Sequence, residues 1–113
     1  MKSAAEIQAL ATLAEERGDY VKAARLHQKA LVKRENELGA DDPQLIEYLY
    51  NVGMIRCALE DRKAAEQAFI RQLDLLLQYY PEEHLDVIEL RQILSDVRSN
   101  EEEVAAHPLK ISA

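Results

Sequence analysis

Apolar and small residues recur every three or four positions along most of this chain, the spacing that gives a helix one buried face. Ile7, Leu10, Ala11 and Ala14 form the first such set. After a break at Gly18-Asp19 comes a second, Tyr20, Ala23, Ala24, His27, Ala30 and Leu31, with Lys22, Arg25, Lys29 and Lys33 on the opposite side. The third set is Leu45, Leu49, Val52, Gly53 and Ile55, and the fourth is Ala65, Ala68, Phe69, Leu73, Leu76 and Leu77. A fifth, Val87, Leu90, Leu94 and Val97, is widened by Leu85, Ile88 and Ile93. Five helices are predicted: Ser3 to Gly18, Tyr20 to about Leu38, Pro43 to about Leu59, Arg62 to Tyr79, and about Glu82 to Asn100.

The polar residues at the breaks fit these bounds. Ser3 and Glu6 have the spacing of a capping box, in which hydroxyl and carboxylate satisfy backbone amides that a helix start leaves without partners. Gly18 suits a helix end, where the left-handed conformation is easiest for glycine, and Asp19 suits the next cap. Leu38-Gly39 is a second stop. Asp42-Pro43 is a start, with Asp42 as cap and Pro43 in the first helical position, where its missing N–H costs nothing. Pro81 closes the fourth helix. The fifth carries Arg91, Asp96, Arg98 and Ser99, which makes it more polar than the first and third, as expected of a terminal helix that packs on one neighbour and shows water its other side. Glu101-Glu102-Glu103 either prolongs it or begins an irregular tail, VAAHPLKISA, which contains Pro108. Fraying is expected there, because acid is disfavoured at a helix C-terminus.

The pattern repeats after about 42 residues, a period of the size that marks stacked helix pairs. Gly18-Asp19-Tyr20 is echoed by Glu60-Asp61-Arg62, Ala23 by Ala65, Leu31 by Leu73, Ala11 by Gly53, and Leu10 by Val52. The expected fold is all-α, a right-handed stack of antiparallel helix pairs. It holds two repeats, about residues 3–39 and 43–80, and a C-terminal capping helix over about 82–100. Residues 1–100 make the repeat domain and 101–113 an acidic, irregular tail.

Composition narrows the function. The net charge is −7. Residues 1–40 hold seven basic and six acidic groups, 41–81 four and seven, and 82–113 three and eight, so the acid gathers toward the C-terminus. Nucleic acid and anionic membrane both call for a basic footprint, and neither is an expected partner. No stretch approaches the roughly 20 apolar residues of a membrane span. The N-terminus MKSAAEIQAL lacks the apolar run of a signal peptide, and the single cysteine, Cys57, fits a reducing compartment. A cytoplasmic location is expected.

Candidate chemistry is sparse. His27, His84 and His107 stand at no metal-ligand spacing to one another or to Cys57, so no metal or cofactor is expected. His27 reads as a residue packed between helices, and Cys57 as a small buried hydrophobe. No glycine loop cradles phosphate, and no set of nucleophile, base and oxyanion donor stands out, so no catalysis is expected.

The residues GDYVKAARLHQKAL (Gly18 to Leu31) and ALVKRENELGADDP (Ala30 to Pro43) resemble tetratricopeptide repeats in the longer, 42-residue form of kinesin light chains. The second repeat, LYNVGMIRCALEDRKAAEQAF, keeps Leu49, Asn51, Val52, Gly53, Ala65 and Phe69 but has Glu60 where Gly18 stood. His27 takes a place where that family usually has Tyr or Phe. The resemblance implies that the first helix of each pair lines a concave groove that holds a peptide or helix of another protein. It would place Gln8, Thr12, Glu15, Glu47, Tyr50, Asn51, Met54 and Gln92 there, with Ala5, Ala58, Glu89 and Asp96 beside them. Asn51 matches an asparagine with which the family holds an extended backbone, a task suited to an amide that donates and accepts at once. Tyr50 and Met54, one turn apart, form a candidate anchor. The lysines with which some members grip a C-terminal carboxylate are absent, so the expected ligand is neutral or basic. The expected role is a protein-interaction module of adaptor, scaffold or chaperone-like kind. The alternative is a self-associating unit whose homo-oligomer, a homodimer in the simplest case, is the functional form.

Overall fold

The structure is a computed structural model that describes the backbone of residues 1–106 and the side chains of residues 1–99. Five helices follow one another: α1 Ala4–Glu16, α2 Tyr20–Leu38, α3 Leu45–Ala58, α4 Arg62–Tyr79 and α5 Leu85–Ala106. Each packs chiefly on its neighbours in the chain, α1 on α2, α2 on α3, α3 on α4 and α4 on α5. The result is the expected all-α stack of helix pairs, a slab 45 × 37 × 18 Å.

The caps are where the sequence puts them, with one exception, though α5 begins at Leu85 rather than about Glu82. Ser3 and Glu6 form the full capping box, the Ser3 amide donating to Glu6 Oε1 at 3.0 Å and the Glu6 amide to Ser3 Oγ at 3.1 Å. Asp19 accepts from the Lys22 amide and Asp61, about 42 positions later, from the Ala64 amide. The exception is α3, which begins at Leu45 rather than Pro43. Asp42 Oδ1 accepts from the Gln44 amide, and the Leu45 and Ile46 amides reach back three residues to the Asp42 and Pro43 carbonyls. Asp42-Pro43 therefore makes a tight turn that leads into the helix.

The core forms as three clusters. One joins Ala4 and Ile7 of α1 to Ala30 and Leu31 of α2, to Leu45, Tyr48, Leu49 and Val52 of α3, and to Leu75 of α4. Another joins Ala65, Phe69 and Leu76 of α4 to Val87, Leu90, Leu94 and Val97 of α5. The third is small, with Ala14, Ala23, Ala24 and Ile55. Gly53 is what lets α4 come close to α3. A Cβ there would lie 2.3 Å from Phe69 Cε1. Two charged contacts fasten the layers: Arg71 of α4 to Glu35 of α2 at 2.7 Å, and Arg98 of α5 to Glu66 of α4 at 3.3 Å.

Several expected core residues lie at the surface instead. Leu10 and Tyr20 are exposed, although Val52, the echo of Leu10, is buried. Val52 is covered by the preceding helix pair, and no pair precedes α1 among the described residues. Leu85 and Ile88, expected to widen the stripe of α5, are also exposed. They lie off the line Val87, Leu90, Leu94 and Val97 that meets α4, and no further helix covers that side among the described residues. Conversely Gln72 and Leu75 of α4 are buried where the fourth apolar set did not include them.

α5 continues through Glu101-Glu102-Glu103 to Ala106. Between Asn100 and Ala106 there is no glycine or proline to stop it, and Glu and Ala are good helix formers. The helix therefore runs on past residue 101, the first of the two courses that the three glutamates allowed. His107, Pro108, Leu109 and Ile111 lie outside the described residues.

Candidate functional site

α1, α3 and α5, the first helices of successive pairs, share a face. A hydrogen bond crosses it from Gln8 Nε2 on α1 to Glu47 Oε1 on α3 at 3.3 Å. Farther along, Glu47 and Tyr50 of α3 line one cleft with Asp86, Glu89, Leu90 and Ile93 of α5. Ile46 of α3 and Gln72 and Leu76 of α4 complete its lining, and its volume is ≈ 300 Å³.

The eight residues expected in a groove divide by how their side chains are engaged. Gln8 and Glu47 hold each other. The Thr12 hydroxyl donates to the Gln8 carbonyl one turn back, at 3.2 Å. Glu15 is bound to His27 Nε2. Gln92 donates to Asp96, 2.9 Å away on the same helix. Tyr50 is 39% exposed and Met54 42%, while Asn51 is half-buried between them. Tyr50 meets the buried Phe69 with ring centroids 6.4 Å apart. It therefore packs within its own repeat along one edge while the rest of its ring faces out, and a ring so held loses little rotational freedom on binding a ligand.

His27 is 3% exposed, and its ring nitrogen is bound to the Glu15 carboxylate, which satisfies it as a packed histidine must be. Cys57 is half-buried beneath α4 and α5. Desolvation raises its thiol pKa, opposed in smaller measure by the charge of Arg62. The thiol form therefore dominates at neutral pH, unlike a catalytic cysteine. Among the described residues, no cluster of three or more His, Cys, Asp or Glu side chains is arranged to hold a metal ion. Nor is any described helix long and apolar enough to cross a membrane.

Sequence reasoning missed Ile46, Gln72, Leu76, Asp86, Leu90 and Ile93 as lining of the cleft. Leu76 and Leu90 were read as core alone. Gln72 carried the one usable signal, a polar residue three after Phe69 and seven after Ala65, in register with a buried face. An uncharged polar side chain on an apolar line needs a hydrogen-bond partner or a role.

The comparison with known protein families agrees with the geometry. A family model described as Tetratricopeptide repeat matches residues 3–78, which span α1 to α4. A search of curated proteins gives no match to the chain. With two packed helix pairs, equivalent aspartate caps about 42 positions apart and a family match over most of its length, the chain belongs to the tetratricopeptide repeat family.

Proposed function

We propose that this chain takes a peptide or helical segment of another protein on the face shared by α1, α3 and α5, as an adaptor or scaffold in the cytoplasm, with no covalent step. The observation that carries the reading is the row Tyr50, Asn51 and Met54 on α3. A part-fixed aromatic ring, a carboxamide and a flexible thioether lie together, partly open to solvent, on a helix braced by α2 on one side and α4 on the other. Aromatic and thioether groups in such places contribute contact area at low entropic cost, and the amide supplies both halves of a backbone hydrogen bond. Gln8, Thr12, Glu15, Glu47 and Gln92 give the surrounding face its polar character. The spacing of the Asp19 and Asp61 caps, and of Gly18 and Glu60, supports the finer likeness to the kinesin-light-chain form of the repeat.

The test is a pull-down from native extract with the full chain and with Tyr50→Ala, Asn51→Ala and Met54→Ala variants. Each is expected to keep its helical circular dichroism and lose partner capture. Capture unchanged in all three folded variants would contradict the reading.

A second reading, self-association, is favoured by a different surface. A groove of ≈ 830 Å³ across α1 and α2 is lined by Ile7, Leu10, Leu26 and Val32 and flanked by Arg25 and Lys29. An apolar floor with a basic rim suits the acidic C-terminal part of a second copy. Light scattering over a wide concentration range separates the two. A dimer that dissociates at high salt supports this reading, and a monomer throughout removes it.

A further inference from the structure

The cleft between α3, α4 and α5 contains one polar atom that the fold leaves without a partner. Gln72 is 6% exposed, yet its Oε1 accepts no hydrogen bond. Leaving a buried acceptor unmatched costs a folded protein stability, so such an atom calls for an explanation. Gln72 belongs to the lining of the cleft, and what surrounds it there is not neutral. Glu47, Asp86 and Glu89 put three carboxylates on the lining, with no basic residue among them. The local groups that bear on these acids leave them available. Glu47 uses Oε1 for Gln8, and His84 Nδ1, which accepts from the Asp86 amide, stands 4.0 Å from Asp86 Oδ2 and pairs with it only when the ring is protonated. Arg34 shares the adjoining cavity with Glu47 and Asp86, but its guanidinium donates to Gln44 at 2.9 Å. The remaining walls, Ile46, Leu76, Leu90 and Ile93, are apolar.

We infer that this cleft is the anchor subsite for an arginine side chain of the partner, with the aliphatic stem against Ile46, Leu76, Leu90 and Ile93 and the guanidinium shared between Gln72 Oε1 and the carboxylates of Glu47, Asp86 and Glu89. The inference rests on the groove reading above and assigns the chemistry of what that groove recognises. A guanidinium fits these surroundings better than an ammonium. It is planar, carries five N–H donors, and is the more weakly hydrated of the two, so it loses less on entering a cleft with apolar walls. It also supplies what the site lacks, since every polar group named here can accept. A neutral peptide would leave three carboxylates partly desolvated with nothing to offset the cost.

The experiment is selection on the full chain from a random dodecapeptide library. Binding of the enriched peptides is then measured by isothermal titration. Enriched peptides are expected to carry an arginine whose replacement by citrulline, equal in shape but uncharged, weakens binding by about tenfold or more. Gln72→Met and Glu89→Gln should each weaken the parent peptide several-fold, and Glu89→Gln should leave the citrulline peptide unaffected. Gln72→Met should also melt no lower than the parent chain, since an apolar side chain of similar length removes an unmatched acceptor. Peptides that lack a basic residue, or that bind Gln72→Met as well as the parent chain, would overturn the arginine subsite while leaving the groove in place. Enriched peptides indifferent to Tyr50→Ala and Asn51→Ala, or no enrichment, would instead overturn the groove reading itself. Enrichment only after deletion of residues 104–113 would make this chain's own C-terminal segment the occupant and overturn assignment to a partner.

Discussion

Gly18 and Glu60 occupy equivalent turns between the two helices of a repeat, and both have positive φ, 78° and 60°. Glycine takes this conformation freely, whereas a side chain there costs roughly 1–2 kcal/mol. Glu60 is exposed, so its side chain has no burial to lose. Glu60→Gly is therefore expected to stabilise the chain by about 1 kcal/mol, less than the full strain because glycine also loosens the unfolded chain. Gly53 predicts the opposite sign. With a Cβ 2.3 Å from the ring of the fully buried Phe69, Gly53→Ala should destabilise by about 1–3 kcal/mol. Urea denaturation of the two variants checks both. The first repeat has Ala11 and His27 at the equivalent positions, a larger small residue with a smaller ring. Each repeat thus divides much the same space differently. That trade was half-legible in the sequence, where Gly53 stood out as the echo of Ala11 but nothing showed which ring it would face.

At the scale of the helix, the starts were legible because the capping residues are local. Ser3, Asp19 and Asp61 each act within three residues of themselves. The capping box has a consequence for acid stability. The Glu6 carboxyl is held below its usual range, first by the hydrogen bond from the Ser3 amide and then by that with the Ser3 hydroxyl. A carboxyl with a depressed folded-state pKa contributes stability above its unfolded pKa and loses it as pH falls through the folded one. Protection of the amides in the first turn of α1, read by NMR as the exchange rate relative to that of the unfolded chain at the same pH, should therefore fall on acidification below roughly pH 4. In Glu6→Gln that fall should be reduced. Ser3→Ala, which removes the cap at all pH values, should cost about 1 kcal/mol. Where the reading of helices failed, the causes were of two kinds. Pro43 satisfies every rule for a first helical residue, but Asp42 closes a turn that places the helix two residues later. Leu10, Leu85 and Ile88 follow helical spacing correctly and are still exposed, because spacing identifies a face without saying whether another helix lies against it.

Across the whole molecule, the stack of pairs was legible because it repeats. Once Gly18-Asp19 and Glu60-Asp61 are aligned, the order of packing follows. α5 extends the same register. Val87, Leu90, Leu94 and Val97 fall about 42 positions after Leu45, Tyr48, Val52 and Ile55, all of them buried. Its exposed residues Arg91, Ser95 and Arg98 stand where α3 has Leu49, Gly53 and Arg56 against α4. A helix with that face needs no following helix, and the structure gives it none among the described residues. The groove residues proposed on α1 and α3 came from the resemblance to the repeat family. The cleft could not be named from that resemblance, because it needs Gln72 of α4 and Asp86 and Glu89 of α5 brought to Tyr50, a meeting set by the way three helices pack.

If partner peptides lie on the face shared by α1, α3 and α5, adding a selected dodecapeptide to the ¹⁵N-labelled full chain should shift the amides of Gln8, Glu47, Tyr50, Asn51, Met54 and Gln92, together with the side-chain amide of Gln72. Shifts gathered instead on the basic side of α2, at Lys22, Arg25 and Lys29, with the α3 row unmoved, would contradict that placement.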